Sequence, residues 1–148
     1  MVGPGTGVVP FIGMSEEREL LRKEKNVATG EGDLFFGCRS RDQDFIYEDE
    51  MRGFVNSGVV TALHTAFSRE QEKKIYVQDL FYERKEEMYK KLFEQQGQIY
   101  MCGAVQMGKQ MHRLLERIVE EVEKCTPEQA AEKVKSLERE KRYAKELW

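Results

Sequence analysis

Ser68, Arg69, Lys74 and Tyr76 bring a hydroxyl, a guanidinium fork, an ammonium and a phenol into one short stretch. Together they could surround a dianionic phosphate. The fork and the ammonium would supply charge-assisted hydrogen bonds, the hydroxyl a further donor, and the phenol a face on which adenine can stack. Alone, Arg69 and Lys74 would be ordinary solvated surface charges; the hydroxyl and the aromatic beside them give the stretch its chemical reading. A second anion-directed stretch opens the chain, Met1-Val2-Gly3-Pro4-Gly5-Thr6-Gly7-Val8-Val9-Pro10-Phe11. Gly3, Gly5 and Gly7 let backbone N–H groups face an anion, and the apolar, helix-like segment after them aims its positive end at the same place. The spacing is GxGxG rather than GxGxxG, and no Lys-Ser or Lys-Thr follows the last glycine, so neither the common dinucleotide fingerprint nor a P-loop is present.

The elements that must position these residues alternate regularly. A helix is expected from Pro10 to about Lys23, with Pro10 where a first turn tolerates it. Asn26 to Asp33 is rich in turn formers, and Leu34-Phe35-Phe36-Gly37-Cys38 is a continuous apolar run of the kind buried on both faces of a parallel sheet. Asp44 to about Asn56 reads as a helix, Val59 to Phe67 as a strand, and Val77 to about Gln95 as one long amphipathic helix. Gln98 to Cys102 is a further strand, followed by a helix whose stripe is Met107, Met111, Leu114, Leu115, Ile118 and Val122. Thr126-Pro127-Glu128-Gln129 is a capping box that opens a helix to about Glu140, before a short strand near Tyr143 to Leu147. The expected fold is α/β, a Rossmann-like parallel sheet with helices on both faces, its first strand reduced to Met1 and Val2. The chain therefore reads as one domain, residues 1–148, forming the C-terminal part of something longer.

Composition sets outer bounds. With 24 Lys and Arg against 27 Asp and Glu, the net charge of −3 argues against general nucleic-acid binding. There is no basic leader with an apolar core and no apolar run of membrane-spanning length. Cys38, Cys102 and Cys125 are odd in number and share no CxxC or CxxH spacing, so neither a disulfide framework nor a metal site is indicated, and a reducing, cytosol-facing compartment fits.

In a parallel sheet, ligands bind beyond the carboxyl ends of the strands. Those ends are Gly3 to Gly7, then Cys38-Arg39-Ser40-Arg41-Asp42, then Ser68-Arg69-Glu70-Gln71, then Cys102-Gly103-Ala104. An NAD site places an acid after its second strand to hold the ribose hydroxyls. This chain has no acid directly at Cys38 and offers cations instead, which favours a phosphorylated ribose.

The motifs, in their order, resemble the C-terminal NADPH-binding domain of the ferredoxin-NADP reductase superfamily, and within it the diflavin reductases. They are the Gly3 to Phe11 loop, Phe36-Gly37-Cys38-Arg39, Asp42-Gln43-Asp44-Phe45-Ile46-Tyr47, Ala66 to Gln71 with Lys74-Ile75-Tyr76-Val77-Gln78, Ile99-Tyr100-Met101-Cys102-Gly103, and Arg142-Tyr143 with Leu147-Trp148. The wording of Ser68 to Gln78 is most similar to the NADPH-cytochrome P-450 reductase group, with sulfite reductase flavoproteins and nitric oxide synthase reductase domains nearby.

The resemblance implies a role for each matching position. Gly5, Thr6 and Gly7 would meet the pyrophosphate, with Arg39 as its cationic partner. Ser68, Arg69, Lys74 and Tyr76 would hold the 2′-phosphoadenosine, with Gln78 nearby. Cys102 would lie close to the nicotinamide, Trp148 would cover the flavin ring, and Glu146 would be the terminal acid that, with Cys102 and a serine of the flavin domain, assists hydride transfer. The implied cofactors are NADP(H) here and FAD and FMN in the parent. The implied partners are an upstream FAD-binding domain and a haemoprotein or other electron acceptor, with no nucleic acid and no membrane contact from this stretch. The location is cytoplasmic, the parent being free or anchored to the endoplasmic reticulum on its cytosolic side. Two alternatives stay open: a non-catalytic dinucleotide-binding module, and the NADP domain of a one-flavin ferredoxin-NADP reductase or sulfite reductase flavoprotein.

The chain departs from the family pattern at two positions. Ala104 stands where many relatives carry aspartate, so any polar contact from that position is lost. Glu146 replaces the usual aspartate, and its extra methylene changes the reach of the carboxylate.

Overall fold

The computed structural model describes residues 1–148 and divides into two compact units, Met1–Val77 and Gln78–Trp148. Every strand pairing in it is parallel, and helices intervene between the strands, so the chain is α/β.

In the first unit a 3-10 turn at Gly5–Val8 feeds α1, Val9–Lys25. Pro10 sits in the first turn, where no backbone N–H is required. Phe11 and Ile12 are buried, and the buried Ser15 hydroxyl donates to the Phe11 carbonyl at 2.7 Å, so no polar atom is stranded there. Asn26, left-handed at φ 50°, ends the helix. β1, Asp33–Cys38, pairs with β2, Ala62–Phe67, placing Cys38 opposite Phe67. On its other edge β1 receives Met1 to Gly3 through the Val2–Phe35 bridge. With neighbours on both edges, Leu34, Phe35 and Phe36 are fully buried.

Two elements of this unit differ from the sequence expectation. The helix expected from Asp44 to Asn56 is two, α2 at Arg41–Asp44 and α3 at Glu48–Asn56. Between them the Phe45 ring stacks on Phe36 at 5.0 Å and tilts against Phe67 at 5.5 Å. Turning that ring onto the strands takes the backbone off the helical path, and Tyr47 adopts the left-handed region at φ 56°. The second strand begins at Ala62 rather than Val59. Val59 and Val60 are buried, but the Val60 amide donates to the Phe54 carbonyl at 3.0 Å, so these residues serve the core without joining the ladder.

In the second unit the single helix expected to Gln95 is α4, Val77–Glu83, then α5, Lys85–Tyr89, then a π turn at Lys90–Glu94. The wide turn is closed by the Gln95 amide on the Lys90 carbonyl at 2.9 Å. Arg142 braces it, donating from Nη1 to the carbonyls of Leu92 at 2.6 Å and Gly97 at 2.9 Å. β3, Ile99–Gly103, pairs with β4, Tyr143–Leu147. Between them, α6, Val105–Glu123, buries Met107, Met111, Leu115, Ile118 and Val119 along one face. α7, Pro127–Arg139, opens with both bonds of the Thr126–Gln129 capping box, at 3.3 and 3.0 Å. No helix is long and apolar enough to cross a membrane.

Candidate functional site

The glycine loop of the first unit is a close-approach turn. A Cβ on Gly3 would lie 2.5 Å from the Gly7 carbonyl oxygen and 2.8 Å from the Phe11 ring, so only glycine lets the loop fold back on its helix. Gly5 takes φ 55°, a conformation glycine adopts without steric cost. Gly7 is buried and its amide donates to the Pro4 carbonyl at 3.1 Å, so of the three predicted loop residues its N–H is already spent. Gly5 and Thr6 open the helical turn, where the first N–H groups have no intrahelical acceptor, and the Thr6 side chain is exposed.

The carboxyl ends of β1 and β2 are joined beyond the ladder. The Ser68 amide donates to the Cys38 carbonyl and the Arg69 amide to the Arg39 carbonyl, both at 2.9 Å. Arg41 fastens the same ends: its amide donates to Glu70 Oε1 at 2.5 Å and its guanidinium lies 4.7 Å over the Phe67 ring. Arg39 is exposed and bound to Asp44 through two bonds, Nε to Oδ2 at 3.0 Å and Nη2 to Oδ1 at 2.7 Å. The Arg39 pair holds the Asp44 carboxyl below its ordinary value.

Ser68 is half-buried at the start of the turn after β2, and Arg69, Lys74 and Tyr76 are exposed along it. Neither Arg69 nor Lys74 makes an ion pair or side-chain hydrogen bond with the protein. Elsewhere Arg52, Arg117, Lys85, Lys133 and Arg142 all pair with carboxylates. A guanidinium and an ammonium free of hydrogen bonds, on the same turn as a hydroxyl, are donors suited to a phosphate dianion, and Arg69 lies close enough to Asp44 to help hold that carboxyl down. Tyr76 ends the turn immediately before Val77, whose buried side chain is the atom a Cβ on Gly37 would strike, at 2.9 Å.

The second unit holds the remaining predicted residues. Gln78 donates from Nε2 to Gln110 Oε1 at 2.7 Å, a pairing that ties the start of α4 to α6. Cys102, buried at 3% exposure near the end of β3, is the register partner of the exposed Glu146 on β4. Burial first, and the Glu146 charge second, push the thiol above its ordinary value. The Trp148 amide donates to the Gly103 carbonyl at 3.1 Å, and its own carbonyl accepts from Val105 at 3.0 Å, the first amide of α6. Its backbone is thus fixed while its ring is 61% exposed. Leu147 lies against Gly108, where any Cβ would come within 2.4 Å of its side chain.

Residues 1–113 match the model of the family described as the oxidoreductase NAD-binding domain. The chain belongs to that family. Over its whole length it is 42% identical to NADPH-cytochrome P450 reductase of Bos taurus, 40% to that of Musca domestica and 41% to that of Homo sapiens. It spans 22% of the length of each of these relatives. The family match covers the glycine loop, both strand ends of the first unit and the Cys102 end of β3.

Asp44 is the Arg39 partner that sequence reasoning passed over. It lies inside the Asp42 to Tyr47 motif, but its pairing with Arg39 depends on the short helix α2 that follows β1, and their separation of five residues matches neither the three nor the four of neighbours on a helix face.

Proposed function

We propose that residues 1–148 form the NADP(H)-binding domain of a diflavin oxidoreductase of the NADPH-cytochrome P450 reductase type, with FAD-binding and FMN-binding domains contributed by the rest of the parent. The observation that carries this reading is the placement of Ser68, with the exposed Arg69, Lys74 and Tyr76, on the turn that leaves the carboxyl end of β2. The 2′-phosphate is assigned to Ser68, Arg69 and Lys74, adenine to the face of Tyr76 with Gln78 nearby, and the pyrophosphate to Gly5, Thr6 and Arg39, with Gly7 closing the loop through its bond to Pro4. In the resulting mechanism these residues fix the nucleotide by its phosphates, so binding energy made far from the reacting carbon positions that carbon. Bound by these residues, NADPH would supply a hydride to the FAD of the parent, whose FMN and haemoprotein or similar acceptor would take the electrons onward.

The roles proposed for the second unit follow from its chemistry. Cys102 keeps its proton at neutral pH because burial disfavours the thiolate, so it offers the nicotinamide a neutral, polarisable neighbour. Glu146 supplies the negative charge beside it, and Trp148 supplies a flat apolar face for the flavin ring. The domain faces the cytosol, with any membrane anchor elsewhere in the parent. The test is the parent itself: purified with both FAD and FMN, it reduces a haemoprotein acceptor with NADPH. A parent holding one flavin only would overturn the diflavin assignment in favour of the one-flavin class.

A further inference from the structure

An exposed arginine such as Arg39 has several rotatable bonds, so a phosphate site built on it needs a partner that aims the guanidinium. We infer that Asp44 is the positioning residue for Arg39, gripping one edge of its guanidinium so that the other edge is presented to the pyrophosphate. This rests on the assignment of the β1 and β2 ends as the nucleotide site.

The geometry supports it in several ways. A guanidinium has five N–H donors in a rigid plane. Asp44 takes one on Nε and one on Nη2, and Nη1 has no protein acceptor. Holding Nε and Nη2 fixes the plane, and with it the Nη1 side, which is the fork geometry that reads a phosphate through two parallel bonds.

Both ends of the device are anchored. The Arg39 carbonyl is tied to the Arg69 amide at 2.9 Å, and the Asp44 amide donates to the Ser40 carbonyl at 3.0 Å. The residue after Asp44 is Phe45, whose ring is seated on Phe36 and Phe67 with the Arg52 guanidinium 5.9 Å above it. The loop that carries the carboxylate is therefore pinned to the strands that carry the arginines. Arg41 cannot substitute for Arg39, because its guanidinium is engaged with Phe67 and lies 4.0 Å from Glu48. A carboxylate beside an anion site would ordinarily repel the ligand. Here its charge is matched by Arg39 through two hydrogen bonds and is further offset by Arg69 nearby.

The test is calorimetric titration of the 148-residue chain with NADP+ and, separately, with adenosine 2′-monophosphate, which has the 2′-phosphate but no pyrophosphate. Asp44→Ala and the shape-conserving Asp44→Asn should each weaken NADP+ by about threefold to tenfold, the range expected when a charge-assisted pair loses its aim, and leave the monophosphate within about twofold. Asp44→Glu should recover part of the loss. The Arg39→Ala, Asp44→Ala double variant should bind NADP+ no more weakly than Arg39→Ala alone, because the help Asp44 gives to the pyrophosphate runs through Arg39, while its charge on Arg69 opposes an anion. NADP+ binding that is unchanged or tighter in both Asp44 variants would overturn the inference and make the carboxylate a bystander or a competitor. Loss of monophosphate binding in both would also overturn it and assign Asp44 to the fold. Failure of the nucleotide reading itself has a different signature, equal affinity of the unaltered chain for NADP+ and NAD+.

Discussion

Cys102 and Glu146 stand directly opposite one another in the parallel ladder of β3 and β4, the thiol buried and the carboxylate exposed. Burial and the neighbouring charge act in the same direction, and both favour the protonated thiol. The folded value therefore exceeds the unfolded one. Its contribution to stability is present below the unfolded thiol value and is lost as pH rises through the folded value. The rate of Cys102 alkylation against pH, followed by peptide mapping, should show a midpoint above that of an unfolded thiol, and Glu146→Gln should bring it down. A midpoint at or below the unfolded value would contradict the arrangement.

Glu121 accepts from Tyr82 at 2.9 Å, Lys85 at 2.6 Å and Arg117 at 2.7 Å, joining the α4–α5 segment to α6. These donors, Lys85 first and Arg117 next, lower its carboxyl from 4.5 to about 2. A depressed folded value stabilises above the unfolded value and fails as pH falls, so this contribution should fade from pH 4.5 downward and be gone near pH 2. Thermal melts across that window should show a steeper acid loss in the unaltered chain than in Glu121→Gln. Parallel acid limbs would mean that the cluster adds nothing to folding.

Gly3→Ala drives a methyl group into the Gly7 carbonyl and the Phe11 ring. A backbone carbonyl cannot swing aside as a flexible side chain can. The cost should be in the range of about 1 to 3 kcal/mol typical of overpacking, with loss of nucleotide affinity because the Gly5–Thr6 turn moves. Chemical denaturation and nucleotide titration of the variant measure the two effects. A variant of native stability and affinity would show that the loop is not the close-approach turn described.

Much of the fold was legible because the local signals agreed with the tertiary outcome. The Thr126 capping box, the apolar run of β1 and the stripe of α6 each specify one element and need no distant partner. The departures lie where a distant partner decides. Nothing local to Phe45 tells it to leave a helix; Phe36 and Phe67 do. Nothing local to Lys90–Glu94 asks for a π turn, whose freed carbonyl is met by Arg142 from far along the chain. Val59 and Val60 have strand-like side chains, yet their backbone answers to Phe54 and Gly32 through Val60 and Thr61. The site follows the same division. The residue types at the strand ends could be read directly, whereas the commitment of Arg39 to Asp44, and the nearness of Arg69 to the same carboxylate, are facts of side-chain geometry.

Trp148 has a fixed backbone and an exposed ring, the combination required of a removable cover. Stacked on flavin in the parent, the indole would compete with nicotinamide for one face, a contact worth about 0.5 to 1.5 kcal/mol beyond buried area. On the proposed assignment, NADPH would keep its 2′-phosphate anchor during that competition and NADH would have none. Deleting Trp148 in the parent should therefore raise kcat/KM for NADH relative to NADPH and slow release of oxidised nucleotide. An unchanged ratio would leave the indole a passive terminal ring.

If Ser68, Arg69 and Lys74 bind a ribose 2′-phosphate, calorimetry of the chain with 2′,5′-ADP against 5′-ADP should show it. The 2′,5′-ADP should bind more tightly by about tenfold to a hundredfold, as expected for charge-assisted hydrogen bonds to a dianion, and Arg69→Ala should remove most of the difference. Equal affinity for the two nucleotides in the unaltered chain would contradict it.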